Sequence, residues 1–106
     1  MDRARAAGAG VVKRTPVTSS FALSERTGGD VVLKAENMQR TGSFKIRGAM
    51  NKLATLGDAA ARGVTAGSAG NHAQALAFAA RTHGVPCEIF VPKNAPVAKM
   101  AACRSY

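Results

Sequence analysis

Apolar residues recur at helical spacing in one long stretch of the chain, and a second stretch is rich in alanine. In the first, the apolar positions lie three or four residues apart; they are Ile46, Ala49, Met50, Leu53 and Leu56. This spacing predicts a helix that begins near Phe44, and Gly57 is placed to end it. The alanine-rich stretch, residues 71–83, predicts another helix, which Gly84 ends.

Short runs of β-branched and apolar residues predict strands between the helices. The predicted strands are residues 31–36, 63–66 and 87–91. Short helical segments are expected at residues 20–27 and 58–62, and a last helix from Val97. The order strand, glycine turn, helix and strand over residues 63–91 is a βαβ unit, so we expect a three-layer α/β fold with a partly parallel sheet. The strand at 87–91 should be buried, with Cys87 as a small core residue.

Composition and charge limit the possible classes of protein. The chain has 106 residues, 46% of them hydrophobic, which is typical of a globular domain. Residues 1–13 are rich in Ala, Gly and Arg and predict a flexible N-terminus. The net charge of +9 could indicate nucleic-acid binding, but the basic residues are spread along the chain without any zinc-finger, RRM or KH pattern. We therefore expect no nucleic-acid partner.

The cysteine spacing and the hydrophobicity of the chain indicate which kinds of site and segment we do not expect. Two cysteines without short spacing favour neither a metal site nor a disulfide framework. No stretch is long and apolar enough to span a membrane, and no segment has the form of a signal peptide. The expected location is the cytoplasm.

One lysine occupies an unusual position. Lys45 lies in the first turn of the helix predicted after residue 44, where a helix would normally carry Asp or Glu. The positive end of the helix dipole disfavours a second positive charge, and Arg40 and Arg47 are near in sequence. Such surroundings favour the neutral, nucleophilic form of an amine. The plain alternative is a solvated surface lysine. Ser43 is a candidate N-cap for this helix.

A glycine-containing turn joins the strand at 63–66 to the helix at 71–83. It reads GSAGNHAQ over residues 67–74. Glycines allow the backbone to approach a ligand closely, and the free amides at the helix start favour an anion. It is neither a Walker A loop nor a dinucleotide-binding glycine pattern. An ordinary βα turn is the alternative explanation.

Taken together, the two motifs resemble those of a known family. Residues 37–49, NMQRTGSFKIRGA, resemble the cofactor-lysine motif of pyridoxal-phosphate enzymes of the tryptophan-synthase-β fold type (fold type II). Within that superfamily the chain is most similar to threonine dehydratases (threonine ammonia-lyases), serine dehydratase and serine racemase. The similarity implies the N-terminal part of the catalytic domain, with residues 14–56 at the edge of the large subdomain and 57–106 starting the small one.

The resemblance also implies roles for individual residues. Lys45 would be the catalytic residue and would carry pyridoxal 5'-phosphate as an imine, with Phe44 and Asn71 contacting the cofactor. The residues that would bind the carboxylate of the substrate are Ser68, Ala69, Gly70, Asn71 and His72. Taken by itself, His72 would more often be a capping or core histidine.

The implied reaction is the deamination, by dehydration, of L-threonine or L-serine to a 2-oxo acid and ammonia, as in isoleucine biosynthesis. Serine racemases carry a serine at the position of Ala69, so a dehydratase is favoured. Two alternatives stay open: a serine racemase-like enzyme, and a small non-catalytic anion-binding module.

The family's downstream phosphate loop and its residue at the pyridine nitrogen have no match in this sequence. We therefore expect an N-terminal fragment that is inactive alone, with the complete enzyme a homo-oligomer.

Overall fold

The computed structural model describes residues 2–106, which form five α-helices and four short strands. The helices are α1 (Asp2–Ala7), α2 (Phe21–Thr27), α3 (Lys45–Leu56), α4 (Asn71–His83) and α5 (Val97–Ser105). The strands are β1 (Val17–Ser19), β2 (Val32–Lys34), β3 (Val64–Gly67) and β4 (Cys87–Phe90). Three 3-10 turns, Glu36–Met38, Arg40–Gly42 and Gly57–Arg62, fill positions between them. The predicted α/β class is confirmed.

The strands pair in two separate sheets. β1 and β2 are antiparallel, whereas β3 and β4 are parallel and are joined through α4. The predicted βαβ unit is therefore confirmed, and α4 has the bounds that the sequence predicted. Gly84 ends α4 with φ of 65°, a left-handed conformation that glycine adopts without a steric cost.

The core lies where α3 packs against α4. Ile46, Met50 and Leu53 of α3 are each no more than 2% exposed, so the stripe predicted for this helix faces inward. The facing helix contributes small side chains; they are Ala75, Ala79 and Ala80. Because alanine is short, the two helix backbones can approach closely and still fill the space between them.

The N-terminus differs from the prediction. Residues 1–13 were expected to be flexible, but residues 2–7 form α1, which packs against α3. Val11 and Val12 pack against the core from the segment that follows. A helix of six residues is too short to show helical periodicity in its sequence, so packing, which the pattern does not reveal, positions it. Met1 lies outside the described residues.

The expectation that β4 is buried was wrong. Cys87 is exposed and Phe90 is 60% exposed. Within residues 2–106, β4 pairs only with β3, so it is an edge strand, while the prediction assumed a wider sheet. None of the helices that the structure describes is long and apolar enough to cross a bilayer.

Candidate active site

A cleft of about 580 Å³ lies along α3 and is bounded by β3 and the start of α4. Its volume is in the range of small-molecule sites. Its polar lining residues are Lys45, Lys52, Thr65 and His72, and its apolar lining includes Phe44, Leu53 and Leu76. The two sequence motifs, which are separated by seventeen residues in the chain, thus contribute to one cleft.

Lys45 is the first residue of α3, and its side chain is exposed. Its Nζ lies 5.0 Å from the centroid of the Phe44 ring, which is itself 56% exposed. At this distance the face of the ring attracts a cationic amine. The amine and the aromatic ring are therefore presented together to a ligand in the cleft.

The turn before Lys45 is strained. Thr41 has φ of 61°, the only non-glycine residue with positive φ among residues 2–106. The hydroxyls of Thr41 and Ser43 are buried without a hydrogen-bond partner in the described chain. The prediction that Ser43 caps α3 was wrong, because Phe44 holds the N-cap position and no side chain caps the helix. Strain of this kind gathers at functional sites.

A buried glutamine holds this turn to the backbone of Lys13, in the segment that follows α1. Gln39 is 4% exposed. Its Oε1 accepts hydrogen bonds from the backbone N–H of Lys13, at 2.9 Å, and of Arg40, at 2.8 Å, and its Nε2 donates to the carbonyl of Lys13 at 2.7 Å. Every polar atom of the side chain amide is therefore used to hold the backbone.

A charged pair, which we call the Glu36–Arg47 brace, holds the first turn of α3. Arg47 donates through Nε to Oε2 of Glu36 at 2.8 Å and through Nη2 to Oε1 at 2.7 Å, and the hydroxyl of Thr15 donates to Oε1 at 2.5 Å. The hydrogen bonds from Arg47, followed by that from Thr15 and the charges of Arg47 and Lys34, outweigh partial burial and lower the pKa of Glu36 to about 2. The positive charge of Arg47 is thus paired with a carboxylate, which weakens the expectation that it acts on Lys45.

The second motif forms an open helix start. The hydroxyl of Ser68 accepts a hydrogen bond from the N–H of Gly70 at 3.2 Å. The first bond along α4 runs from the N–H of Gln74 to the carbonyl of Gly70, at 3.4 Å. The amides of residues 71–73 therefore have no partner within the helix, and those of the exposed Asn71 and His72 are available to an anion, whereas Ala73 is fully buried.

The predicted site residues are not all brought together. Phe44, Lys45 and His72 line the cleft. Asn71 is exposed at the first position of α4, while Ser68, Ala69 and Gly70 are half-buried in the loop beside the cleft and do not line it.

Sequence reasoning missed Lys52, Thr65 and the Glu36–Arg47 brace. Lys52 is seven residues after Lys45, which is two helical turns, so this spacing could have placed it on the same face. Nothing in the pattern indicated Thr65 or the pairing of Glu36 with Arg47.

Comparison with known proteins gives consistent results. A family profile described as pyridoxal-phosphate dependent enzyme matches residues 9–106. An L-threonine ammonia-lyase from Thermotoga maritima is 53% identical over 96 residues, which are 90% of this chain and 24% of that protein. An L-threo-3-hydroxyaspartate ammonia-lyase from a Pseudomonas species is 51% identical over 98 residues, which are 92% of this chain and 31% of that protein.

Solved structures agree with the sequence relatives. Serine racemase from Dictyostelium discoideum superposes with a TM-score of 0.89 at 37% identity, over 99% of this chain and 35% of that one. The chain therefore spans about a quarter to a third of the length of the relatives that it matches.

Proposed function

Because the chain belongs to the family of pyridoxal-phosphate dependent enzymes, we propose that the complete protein removes ammonia from a hydroxy amino acid, threonine or serine, and forms a 2-oxo acid. The observation that carries the proposal is the cleft in which the exposed amine of Lys45 and the first turn of α4 meet. The ammonia-lyase names of relatives that are 51% and 53% identical support the same reaction class.

The residues of the cleft fit the aldehyde end of pyridoxal phosphate. An aldehyde needs a primary amine that it can reach, and Lys45 presents one beside the exposed ring of Phe44. Lys45, Phe44 and Asn71 are the residues that would hold the cofactor. When bound, the cofactor supplies an electron-withdrawing ring that stabilises negative charge at the Cα of the substrate.

Lys45 has a second role in this proposal. Its Nζ is a base that accepts the Cα proton of the substrate from one face. The amine is on the first residue of α3 and is exposed toward the cleft. The Glu36–Arg47 brace keeps this turn in place, so that the amine is positioned before the substrate arrives.

The start of α4 would bind the carboxylate of the substrate. The unpartnered amides of Asn71 and His72 and the positive end of the dipole attract an anion. Asn71 and His72 are exposed there, and Ser68, Ala69 and Gly70 provide the adjoining loop. A carboxylate held at this end turns the Cα of the substrate toward Lys45.

Elimination is favoured over racemisation by the residues of the loop. Racemisation needs a proton donor on the face opposite Lys45, and the side chain of Ala69 has none. Ser68 is next to it, but neighbouring residues in a tight turn point in different directions, so its hydroxyl should not substitute easily for a group at position 69. The substrate would therefore lose its β-hydroxyl more often than its Cα would be protonated again from the face opposite Lys45. Similarity to a serine racemase structure keeps racemisation as the second candidate.

The test is to follow both products from L-serine with the complete enzyme. We expect 2-oxo acid to form faster than D-serine, and racemisation faster than elimination would contradict the proposal. Ala69→Ser should raise the share of D-serine. Ala98→Ser, which adds the same hydroxyl at an exposed position of α5, should leave that share unchanged.

Chemical trapping distinguishes the alternative of a non-catalytic anion-binding module from the proposed enzyme. Borohydride treatment of the protein with pyridoxal phosphate should leave a stable cofactor mass on the peptide that contains Lys45. Anion binding without this adduct would favour the module and contradict the enzyme.

A further inference from the structure

A second cleft, of about 660 Å³, lies between the N-terminal segment and the start of α3. Five of its nine lining residues are cationic, and none is acidic; the cationic residues are Arg5, Lys13, Arg14, Lys34 and Arg47. We call it the basic cleft. It shares no lining residue with the cleft of Lys45.

The positive charge of the basic cleft is only partly balanced. Glu36 pairs with Arg47 at 2.7 Å and lies 3.8 Å from the amine of Lys34. Within residues 2–106, Arg5, Lys13 and Arg14 have no carboxylate within 4.0 Å. One carboxylate therefore pairs with two of the five cations, and the other three leave the cleft with a net positive charge that attracts anions.

Packing holds these cations together. α1 packs on α3, and Val12 packs against the core. The backbone N–H and carbonyl of Lys13 are both bonded to the buried Gln39, at 2.9 and 2.7 Å. The main chain at this position is fixed, while the side chain is exposed and free to meet a ligand. A fixed backbone lowers the conformational entropy that binding must cost.

We propose that the basic cleft binds a small polyanion with two or more linked phosphate groups. Arginine and lysine are the side chains that bind phosphate oxygens best, and the volume is that of a small-molecule site. No aromatic residue lines the cleft, so it has no surface on which nucleic-acid bases could stack. A compact phosphate chain fits this lining better than a nucleic acid does.

Occupancy would be felt at the start of α3. Arg47 lies two residues after Lys45, and a phosphate in the cleft would compete with Glu36 for its guanidinium or share it. The ligand would also link α1 to the first turn of α3. By mass action, binding to the folded state alone raises the melting temperature.

The experiment titrates the cofactor-saturated protein with inorganic tripolyphosphate by calorimetry at low salt. Because the cofactor then occupies its own site, tripolyphosphate cannot bind in place of the cofactor's phosphate group and be mistaken for a ligand of the basic cleft. We expect one site, an affinity that falls as salt rises, and orthophosphate at least about tenfold weaker because it reaches fewer cations. The melting temperature should rise with tripolyphosphate.

Single-charge variants locate the site. Lys13→Gln and Arg5→Gln should each weaken tripolyphosphate binding by about two- to fivefold, which is the effect of one exposed ionic contact. Arg26→Gln, at the exposed end of α2 and outside the cleft, removes the same charge and should have no effect. Replacing the Lys13 side chain keeps the backbone bonds to Gln39.

The double variant Lys13→Gln/Arg14→Gln decides the proposal. It should lose most of the binding and the rise in melting temperature, with an unchanged circular dichroism spectrum. If it binds as tightly as the unmodified protein, or if the unmodified protein does not bind tripolyphosphate, the proposal is wrong.

Discussion

Helices α3 and α4 begin at the same cleft, but their first turns are built in opposite ways. α3 starts with a cation, Lys45, after a strained turn with Thr41 in a left-handed conformation. α4 starts after a loop that includes Gly70, and the amides of its first turn have no partner within the helix. The positive end of one helix therefore carries a positive side chain, and the positive end of the other is open to an anion.

The supports of the two turns differ as well. The turn before α3 is held by the Glu36–Arg47 brace and by the buried Gln39. Beside α4, one side-chain hydrogen bond is present, from the N–H of Gly70 to Ser68. A cationic side chain at the positive end of a helix is unfavourable by itself, so the start of α3 needs hydrogen bonds from other segments. The start of α4 only has to receive a ligand and does not need them. We expect changes at α3 to affect chemistry and stability, and changes at α4 to affect substrate binding.

The largest effect is expected when the cation of α3 is removed. Lys45→Ala should abolish the visible absorbance of the bound cofactor in the complete enzyme and lower kcat by roughly a thousandfold or more, because the amine that holds the cofactor and accepts the proton is lost. Lys99→Ala, on α5, is the matched control and should keep both properties. Normal activity in Lys45→Ala would show that the amine at the start of α3 takes no part in the reaction.

A negative charge introduced at the start of α4 should weaken substrate binding without lowering the stability of the protein. Asn71→Asp puts a negative charge in the first turn, where the dipole stabilises it by about 0.3–1 kcal/mol. The same charge repels the carboxylate of the substrate, so KM should rise by about tenfold or more while the protein becomes no less stable. Thermal melts and steady-state kinetics measure the two effects. An unchanged KM would show that the carboxylate binds elsewhere.

Much of this contrast could be read from the sequence, and part of it could not. The glycine loop and the bounds of α4 were predicted because alanine content and Gly84 act locally. The strain at Thr41 was missed, since a threonine there does not signal a left-handed turn. The Glu36–Arg47 brace joins side chains eleven residues apart across a turn, and no spacing rule predicts that pairing.

The fold shows the same division between local and distant causes. The parallel pairing of β3 with β4 followed from the βαβ order, but the exposure of Cys87 depends on which strands lie beside β4. A local pattern cannot supply that information. The roles of the site residues, the oligomeric state and the cytoplasmic location stay predictions.

An acid titration tests the brace at the start of α3. The pKa of Glu36 is about 2 in the folded protein against an ordinary 4.5, chiefly because of Arg47. A lowered pKa means that the carboxylate stabilises the fold fully above about pH 4.5, and that this contribution is lost as the pH falls toward 2. Glu36→Gln should therefore be less stable than the unmodified protein at pH 7, and the difference should shrink over that window.

Urea unfolding at a series of pH values measures this difference. Glu25→Gln, on the exposed α2, removes a carboxylate that takes part in no ion pair among the described residues and should show a smaller change over the same window. A constant difference between the unmodified protein and Glu36→Gln from pH 7 to 2 would mean that the brace does not depend on the charge.

The smallest expected effect concerns the strain itself. Thr41→Gly should stabilise the protein by about 1 kcal/mol, because glycine adopts φ of 61° without the steric cost of a side chain and because the buried, unpartnered hydroxyl is removed. The added freedom of glycine in the unfolded chain offsets part of this gain. Thr55→Gly, within α3 and exposed, should instead destabilise by roughly 0.3 kcal/mol, since glycine is a poorer helix former than threonine. Urea unfolding measures the free energy of unfolding of both variants. Changes of opposite sign would locate the strain at the turn. Equal losses of stability in both variants would show that the hydroxyl of Thr41 has a partner that stabilises α3.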